Sequence, residues 1–181
     1  VGAVGKNLRL LSIRDLGYVK ELARQGDEQA VKKLIKAAGG ICSNVRDFVI
    51  RVLGELAAVE AVPTLRKFLL PQSKRGLSAT EEAAIALGKI ASKHGLDGKT
   101  IDLLILASRD SKAAAVRSAA SLALGFCCGS RAFGKRRKKQ TETILFAHLT
   151  CRFSNQSKAA AQALKMTGWK PKNLAEQTRL L

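Results

Sequence analysis

Apolar residues return along this chain at helical intervals. Between residues 45 and 57 they fall at Val45, Phe48, Val49, Val52, Leu53 and Leu56. That is i, i+3, i+4, i+7, i+8 and i+11, the spacing that gives a helix one buried stripe. The polar positions between them place Arg46, Asp47, Arg51 and Glu55 on other faces. Alternation with period two, the mark of a half-buried strand, is nearly absent.

The stripe repeats. Moving 71 residues along brings Arg46 onto Arg117, Val49 onto Ala120, Val52 onto Ala123, Leu53 onto Leu124 and Gly54 onto Gly125. Moving 34 residues brings the same apolar and glycine positions onto Ala83, Ala86, Leu87 and Gly88. A second family of segments, "AVKKLIKAA" from Ala30, "AVPTLRKFLL" from Ala61 and "TIDLLILAS" from Thr100, alternates with the first. The alternation predicts helix hairpins, and self-similarity at this period is the signature of a helical solenoid. The hairpins are expected at about 13–38, 45–70, 79–108, 112–151 and 156–181, within a single domain spanning 1–181. Their starts are 32, 34, 33 and 44 residues apart, so the fourth is about ten residues too long. The excess falls at "GSRAFGKRRKKQ", residues 129–140, which is expected to be a basic loop inserted into the fourth hairpin.

Caps give boundaries independently of the repeat. Ser78-x-x-Glu81 reads as a capping box, Asn44-x-x-Asp47 and Asn173-x-x-Glu176 as looser versions of it. Asp27, Asp110 and Thr141 read as single caps. Asn155-Gln156-Ser157 has the form of a glycosylation acceptor, but its place before "KAAAQALKM" favours a cap. Pro63 suits the first turn of its helix, where a missing amide hydrogen costs little.

The recurring "VR-x-x-A-x-x-A-L-G" followed by "A-V-P-x-L" resembles the HEAT-like repeats of the phycobilin-lyase type. The best copies are "VRDFVIRVLGELAAVEAVPTLRKFL" and "RDSKAAAVRSAASLALG". The resemblance implies an all-α fold, a right-handed α-solenoid of about five HEAT-like antiparallel helix hairpins. Two departures stand out: Gly17-Tyr18 in the first hairpin, and Lys165 where the last should carry glycine. The resemblance is specific for fold and nearly silent on function, since such solenoids serve many partners. It implies a binding scaffold, and as alternatives a lyase-type enzyme or a DNA-repair enzyme. Basic HEAT-like folds occur in alkylpurine DNA glycosylases, but their aromatic-lined pocket and acid cannot be located here.

Composition supports the helical reading. Of 181 residues, 46% are hydrophobic but only 4% aromatic, so the core is built from Ala and Leu, strong helix formers. Charge changes the picture more. The chain holds 32 Lys+Arg against 14 Asp+Glu, a formal +18, which repels itself and calls for an anionic partner. Residues 111–175 carry thirteen of the cations and one acid, Glu142, so the anion-binding face is expected there. No apolar run approaches the ~20 residues that span a bilayer, and no secretory signal stands at the start. Four cysteines without a disulfide-like spacing suit a reducing, intracellular compartment. The chain starts on Val, leaving processing, truncation or excision from a longer chain open. The apolar ends "LRLL" and "AEQTRLL" are unlike polar solenoid caps and imply a protein partner or chain continuation.

Catalytic patterns are thin, and no cofactor is expected. Gly98-Lys99-Thr100 resembles the tail of a phosphate-binding loop, but Lys93 stands where that motif needs glycine and no strand precedes it. Cys127, Cys128, His148 and Cys151 form the one candidate metal set, with ligand-like spacing only at His148-x-x-Cys151. Neither His94 nor His148 sits in a hydrolase or metalloprotease motif. No catalytic residue is assigned, and the chain is expected not to be an enzyme.

The reading that remains is a non-catalytic scaffold contacting nucleic acid, RNA or DNA backbone, within an assembly. Its candidate contacts are Arg131, Lys135, Arg136, Arg137, Lys138, Lys139, Arg152, Lys158, Lys165, Lys170 and Lys172. If the five contiguous cations 135–139 all meet duplex phosphates, counterion release gives a log-log salt slope of about −4.5, roughly 500-fold weaker binding between 50 and 200 mM salt. Phe133 and Trp169 are expected to be exposed near this patch. Two aromatics are too few for a stacking platform, so folded RNA or duplex is favoured over single strands. The competing reading is a protein-interaction scaffold or adaptor with an acidic partner.

Overall fold

The computed structural model describes residues 13–40, 43–70, 76–129, 131–151 and 153–171. Within them the chain is all-α: α1 (Ile13–Arg24), α2 (Glu28–Ala38), α3 (Ser43–Glu55), α4 (Val62–Arg66), α5 (Leu77–His94), α6 (Gly98–Asp110), α7 (Ala114–Phe126), α8 (Lys135–Leu149) and α9 (Ser154–Thr167). Short 3-10 turns at Val59–Ala61, Cys127–Gly129 and Arg131–Phe133 join some of them. Successive helices pair as hairpins. α3, α5, α7 and α9 stand side by side in one layer, with α4, α6 and α8 in a second layer behind them.

The repeated glycine explains how the first layer closes. A Cβ built at Gly54 would stand 2.6 Å from the Cα of Ala86, one at Gly88 3.0 Å from that of Ala123, and one at Gly125 2.9 Å from that of Ala163. Each glycine therefore lets the next helix approach backbone to backbone, and each meets the alanine two positions before the next copy's glycine site. Lys165 breaks the series at α9. It is exposed, so the last described helix of the layer keeps the accepting alanine, Ala163, but presents no glycine outward. Gly17 in α1 does not belong to this set, because a Cβ there would meet nothing within 4 Å.

Packing of the two layers buries a continuous core from Leu16 to Phe133, including Leu34, Leu53, Leu65, Phe68, Leu87, Leu104 and Leu124. A smaller cluster of Leu145, Leu149, Ala160, Ala163 and Leu164 joins α8 to α9. Gly168, at φ +70°, ends α9 in a left-handed turn, and the next residue, Trp169, packs on Phe146 with ring centroids 5.7 Å apart. Polar pairs bridge neighbouring repeats along the seam. Lys20 donates to Glu55 at 2.7 Å, Ser78 to Asp47 at 2.7 Å, Arg51 to Glu82, and Arg117 to Gln156 at 3.1 Å. The ion pairs among them, on the surface, stabilise little, whereas the Arg117–Gln156 bond is partly buried, Gln156 being 2% exposed.

Several expected boundaries move. Asp27 caps α2, accepting from the amides of Gln29 at 2.8 Å and Ala30 at 3.1 Å. Ser78 does not cap: α5 starts a residue earlier, after Gly76, and the serine hydroxyl is spent on Asp47. Asn44 lies inside α3 and Asn155 inside α9, Asp110 ends α6 rather than opening α7, and Thr141 is buried within α8. A cap that sequence patterning passed over is Asp97, which accepts from the Thr100 amide at 3.0 Å and its hydroxyl at 2.6 Å. The Asn173 pattern lies outside the described residues.

The largest correction concerns residues 129–140. Of those described, 131–133 form a 3-10 turn and 135–140 lie in α8, so the run of five cations is helical and not part of a loop. Two anchors make this possible. Phe133, expected to be exposed, is only 2% exposed and belongs to the core. Arg137 turns inward and neutralises itself on Asp102 of α6.

Candidate functional site

α8 starts without help from any side chain. Its N-cap, Gly134, sits at φ +36° and has no side-chain oxygen to accept from the first amides, and the first turn contains no acid. The positive end of the helix dipole is thus reinforced by cations, the opposite of the usual arrangement, and an anion placed there would be stabilised.

Helical spacing sorts the cations into three stripes. Arg137, Thr141 and Leu145 face inward. The Arg137 guanidinium donates to both carboxylate oxygens of Asp102, at 2.7 and 2.9 Å, and to the Ala132 carbonyl at 2.9 Å. The hydrogen bond from Arg137 holds the Asp102 carboxyl below its ordinary range, against the upward push of partial burial. Lys135 and Lys138 lie on a second stripe with Glu142, which approaches Lys138 only to 3.9 Å. Arg136, Lys139, Gln140 and Thr143 form the third stripe and line a cleft of about 480 Å³ with Ile144 and, across from them, Arg109 near the end of α6.

Of the expected contacts, Lys135, Arg136, Lys138 and Lys139 are therefore exposed together at one helix end, while Arg137 is engaged with Asp102. Lys158 lies elsewhere, in a groove between α5, α7 and α9 that also holds Glu81. Lys165 in the last turn of α9 and Lys170 just after that helix are exposed and are not among the residues lining the cleft. Arg131 is in the 3-10 turn, and Arg152 and Lys172 lie outside the described residues. Trp169 is half-buried against Phe146. Sequence reasoning passed over Arg109, which lies outside the basic run and outside residues 111–175. It also passed over Gln140 and Thr143, which the i, i+4, i+7 spacing from Arg136 would have found.

The cysteine and histidine set is divided among other partners. The Cys127 thiol is buried, which pushes it up to about 12. The Cys128 thiol donates to the Met166 carbonyl at 3.0 Å, and Cys151 lies 3.5 Å from the Gln156 side-chain oxygen. Among the described residues, no group of three or more His, Cys, Asp or Glu is placed to hold a metal ion. His94 ends α5 at the rim of a larger cleft of about 820 Å³, lined by Val59, Pro63, Leu96, Asp97 and Phe126. Asp97 there is occupied in capping α6.

His148 faces inward from α8. Its Nδ1 lies 3.3 Å from the Ser121 hydroxyl, which donates to the Arg117 carbonyl at 2.8 Å and meets the Ser108 hydroxyl at 3.0 Å. Both serines are fully buried, so neither is presented to a substrate. Burial, then the Arg117 charge, lowers the His148 pKa. A lowered value means the fold prefers neutral imidazole. The resulting stability is complete above the unfolded pKa of about 6.5 and is lost as pH falls below it. His148→Gln is expected to flatten the decline in thermal midpoint between pH 7 and 5. An unchanged decline would show that other groups cause it.

Taken together, these features define an all-α solenoid of helix hairpins, a helical-repeat scaffold with a basic cleft on its second layer. The chain belongs to the HEAT-repeat family, whose model matches residues 31–125. Among solved structures it is similar to a chain of the complex of CpcE and CpcF of phycocyanin lyase from Nostoc sp. PCC7120. The two share 24% identity and a TM-score of 0.60 over 84% of this chain and 87% of that one. That likeness is one of fold. No curated protein matches the sequence. Among the described residues, no helix is long and apolar enough to cross a membrane.

Proposed function

We propose that this HEAT-repeat scaffold binds the phosphate backbone of folded RNA or duplex nucleic acid at the start of α8. The observation that carries the reading is the concentration of Lys135, Arg136, Lys138 and Lys139, all exposed, on the first two turns of a helix with no acid in its first turn. Such a cluster repels itself and the helix dipole at once, and polyanion phosphates relieve both. The cleft adds donors suited to phosphate and no stacking surface, so backbone and shape, rather than base edges, would be recognised.

A second reading is an acidic protein partner. The solved relative is one member of a two-chain complex, and HEAT repeats are built to carry partners along their length. A lyase-type activity is the third reading that this relative brings, and it would need a pocket in which His94, His148 or a carboxylate converges with other polar groups.

Titrating a labelled RNA duplex with the protein at several salt concentrations separates the first two readings. Backbone binding gives a linear log-log dependence with a steep negative slope. Absence of duplex binding, with a protein partner retained after nuclease treatment, would overturn the nucleic-acid reading in favour of the acidic partner.

A further inference from the structure

Arg109 stands in an unusual electrostatic position. Its guanidinium forms a two-pronged pair with the adjacent residue, Nε to Asp110 Oδ1 at 2.6 Å and Nη2 to Asp110 Oδ2 at 2.6 Å. Both side chains remain about half exposed, at 54% and 48%, so water screens the pair and it ties no two elements together. Asp110 is also the last residue of α6, where the negative end of the helix dipole disfavours a carboxylate. An acid in that place contributes little to the fold. Its effect is to occupy both prongs of Arg109.

The same Arg109 lines the cleft opposite Arg136 and Lys139, which are one turn apart on α8, with Gln140 next to Lys139 and Thr143 a turn further on. No residue lining this cleft carries a carboxylate: Asp102, though exposed, is paired with Arg137, and Glu142 lies on the neighbouring stripe. Thr143 spends its hydroxyl hydrogen on the Lys139 carbonyl at 3.0 Å. The Gln140 amide and three cations from two helices are left to converge on one volume. That is the donor set a phosphodiester takes, with the planar guanidinium fork matching two phosphate oxygens.

We propose that the cleft between α6 and α8 binds one backbone phosphate, and that Asp110 is an internal competitor which occupies Arg109 until that phosphate displaces it. The proposal rests on the nucleic-acid reading above and extends it to a residue outside the basic run. Exchange costs little because the carboxylate and the phosphate present similar pairs of oxygens to the same fork, and Asp110 is released into solvent. It also favours well-formed backbone over stray anions: a free anion has to outcompete Asp110 alone, whereas a polymer already held by Lys135 and Lys138 delivers its phosphate at high effective concentration.

The test is RNA-duplex binding by the wild type, Asp110→Asn, Arg109→Gln and the double variant, across a salt series. Removing the competitor in Asp110→Asn is expected to tighten binding roughly tenfold at low salt, because the Arg109–Asp110 pair no longer has to be broken. The salt slope should stay near the wild-type value, since Arg109 meets the phosphate in both complexes, and should flatten by about 0.9 in Arg109→Gln, which loses one neutralised phosphate. The gain in affinity should vanish in the double variant. An Asp110→Asn protein that binds like wild type overturns the proposal. So does a gain that persists without Arg109, since removal of any nearby negative charge would then suffice. A wild type that fails to bind the duplex takes down the underlying reading and this inference together, whereas wild-type binding with an inert Asp110 sinks only the inference.

Discussion

A single methyl group at Gly54 is expected to lower stability by about 3 kcal/mol, while the same change at Gly17 raises it by about 1 kcal/mol. Helix propensity alone predicts a gain at both sites, because alanine loses less backbone freedom than glycine on entering a helix. Packing reverses the sign at Gly54. The new Cβ would lie 2.6 Å from the Ala86 Cα and 2.8 Å from its Cβ, and a backbone atom cannot yield unless α5 moves as a whole. Gly17 faces solvent with nothing within 4 Å of a Cβ, so there the propensity gain stands. Gly125→Ala and Gly88→Ala should follow Gly54→Ala in that order, since their tightest contacts relax to 2.9 and 3.0 Å. For a chain of this size the Gly54 effect is a fall of about 6–12 °C in thermal midpoint. A midpoint at or above wild type for Gly54→Ala would mean that α3 and α5 do not approach as closely as described.

This glycine series was legible in the sequence because the repeat aligned it, and the alanine it meets recurs in the same copies. Its physical cause was not legible, since nothing in one strand of text says which backbone lies across the groove. Lys165 shows the gain from having both. Read alone it is a lapse from the pattern; beside Ala163 it marks a helix that accepts a close neighbour on one side and presents a long charged side chain on the other. The start of α8 was misread for a related reason. Five adjacent cations disfavour a helix as an isolated peptide, and the compensation comes from Asp102, 35 residues earlier, and from the burial of Phe133. Tertiary contacts of that range leave no local trace. Caps failed at Ser78 and Thr141 because small polar residues serve equally well as inter-repeat donors or buried helix positions, whereas Asp27 and Asp97, each just ahead of a helix start, do cap.

The second large effect follows from counting cations by what they already touch. Five contiguous charges give a salt slope of about −4.5, but Arg137 is held by Asp102 and the Ala132 carbonyl, so four remain for phosphates and the slope from this element becomes about −3.6. Between 50 and 200 mM salt that is roughly a 150-fold loss of affinity, distinguishable from the 500-fold loss that five contacts would produce. Replacing Lys135, Arg136, Lys138 and Lys139 together with Ser should remove the −3.6 contribution and leave only what Arg109 and more distant cations supply. Arg137→Ser should behave differently. It leaves the four contacts in place, so the slope changes little, but it unties α8 from α6, and the start of the helix should exchange its amide hydrogens faster. If Arg137→Ser instead flattens the slope by a full phosphate with helix protection intact, Arg137 is a ligand contact and Asp102 its resting partner. If the fourfold variant keeps the wild-type slope, the anion lies on another face of the solenoid.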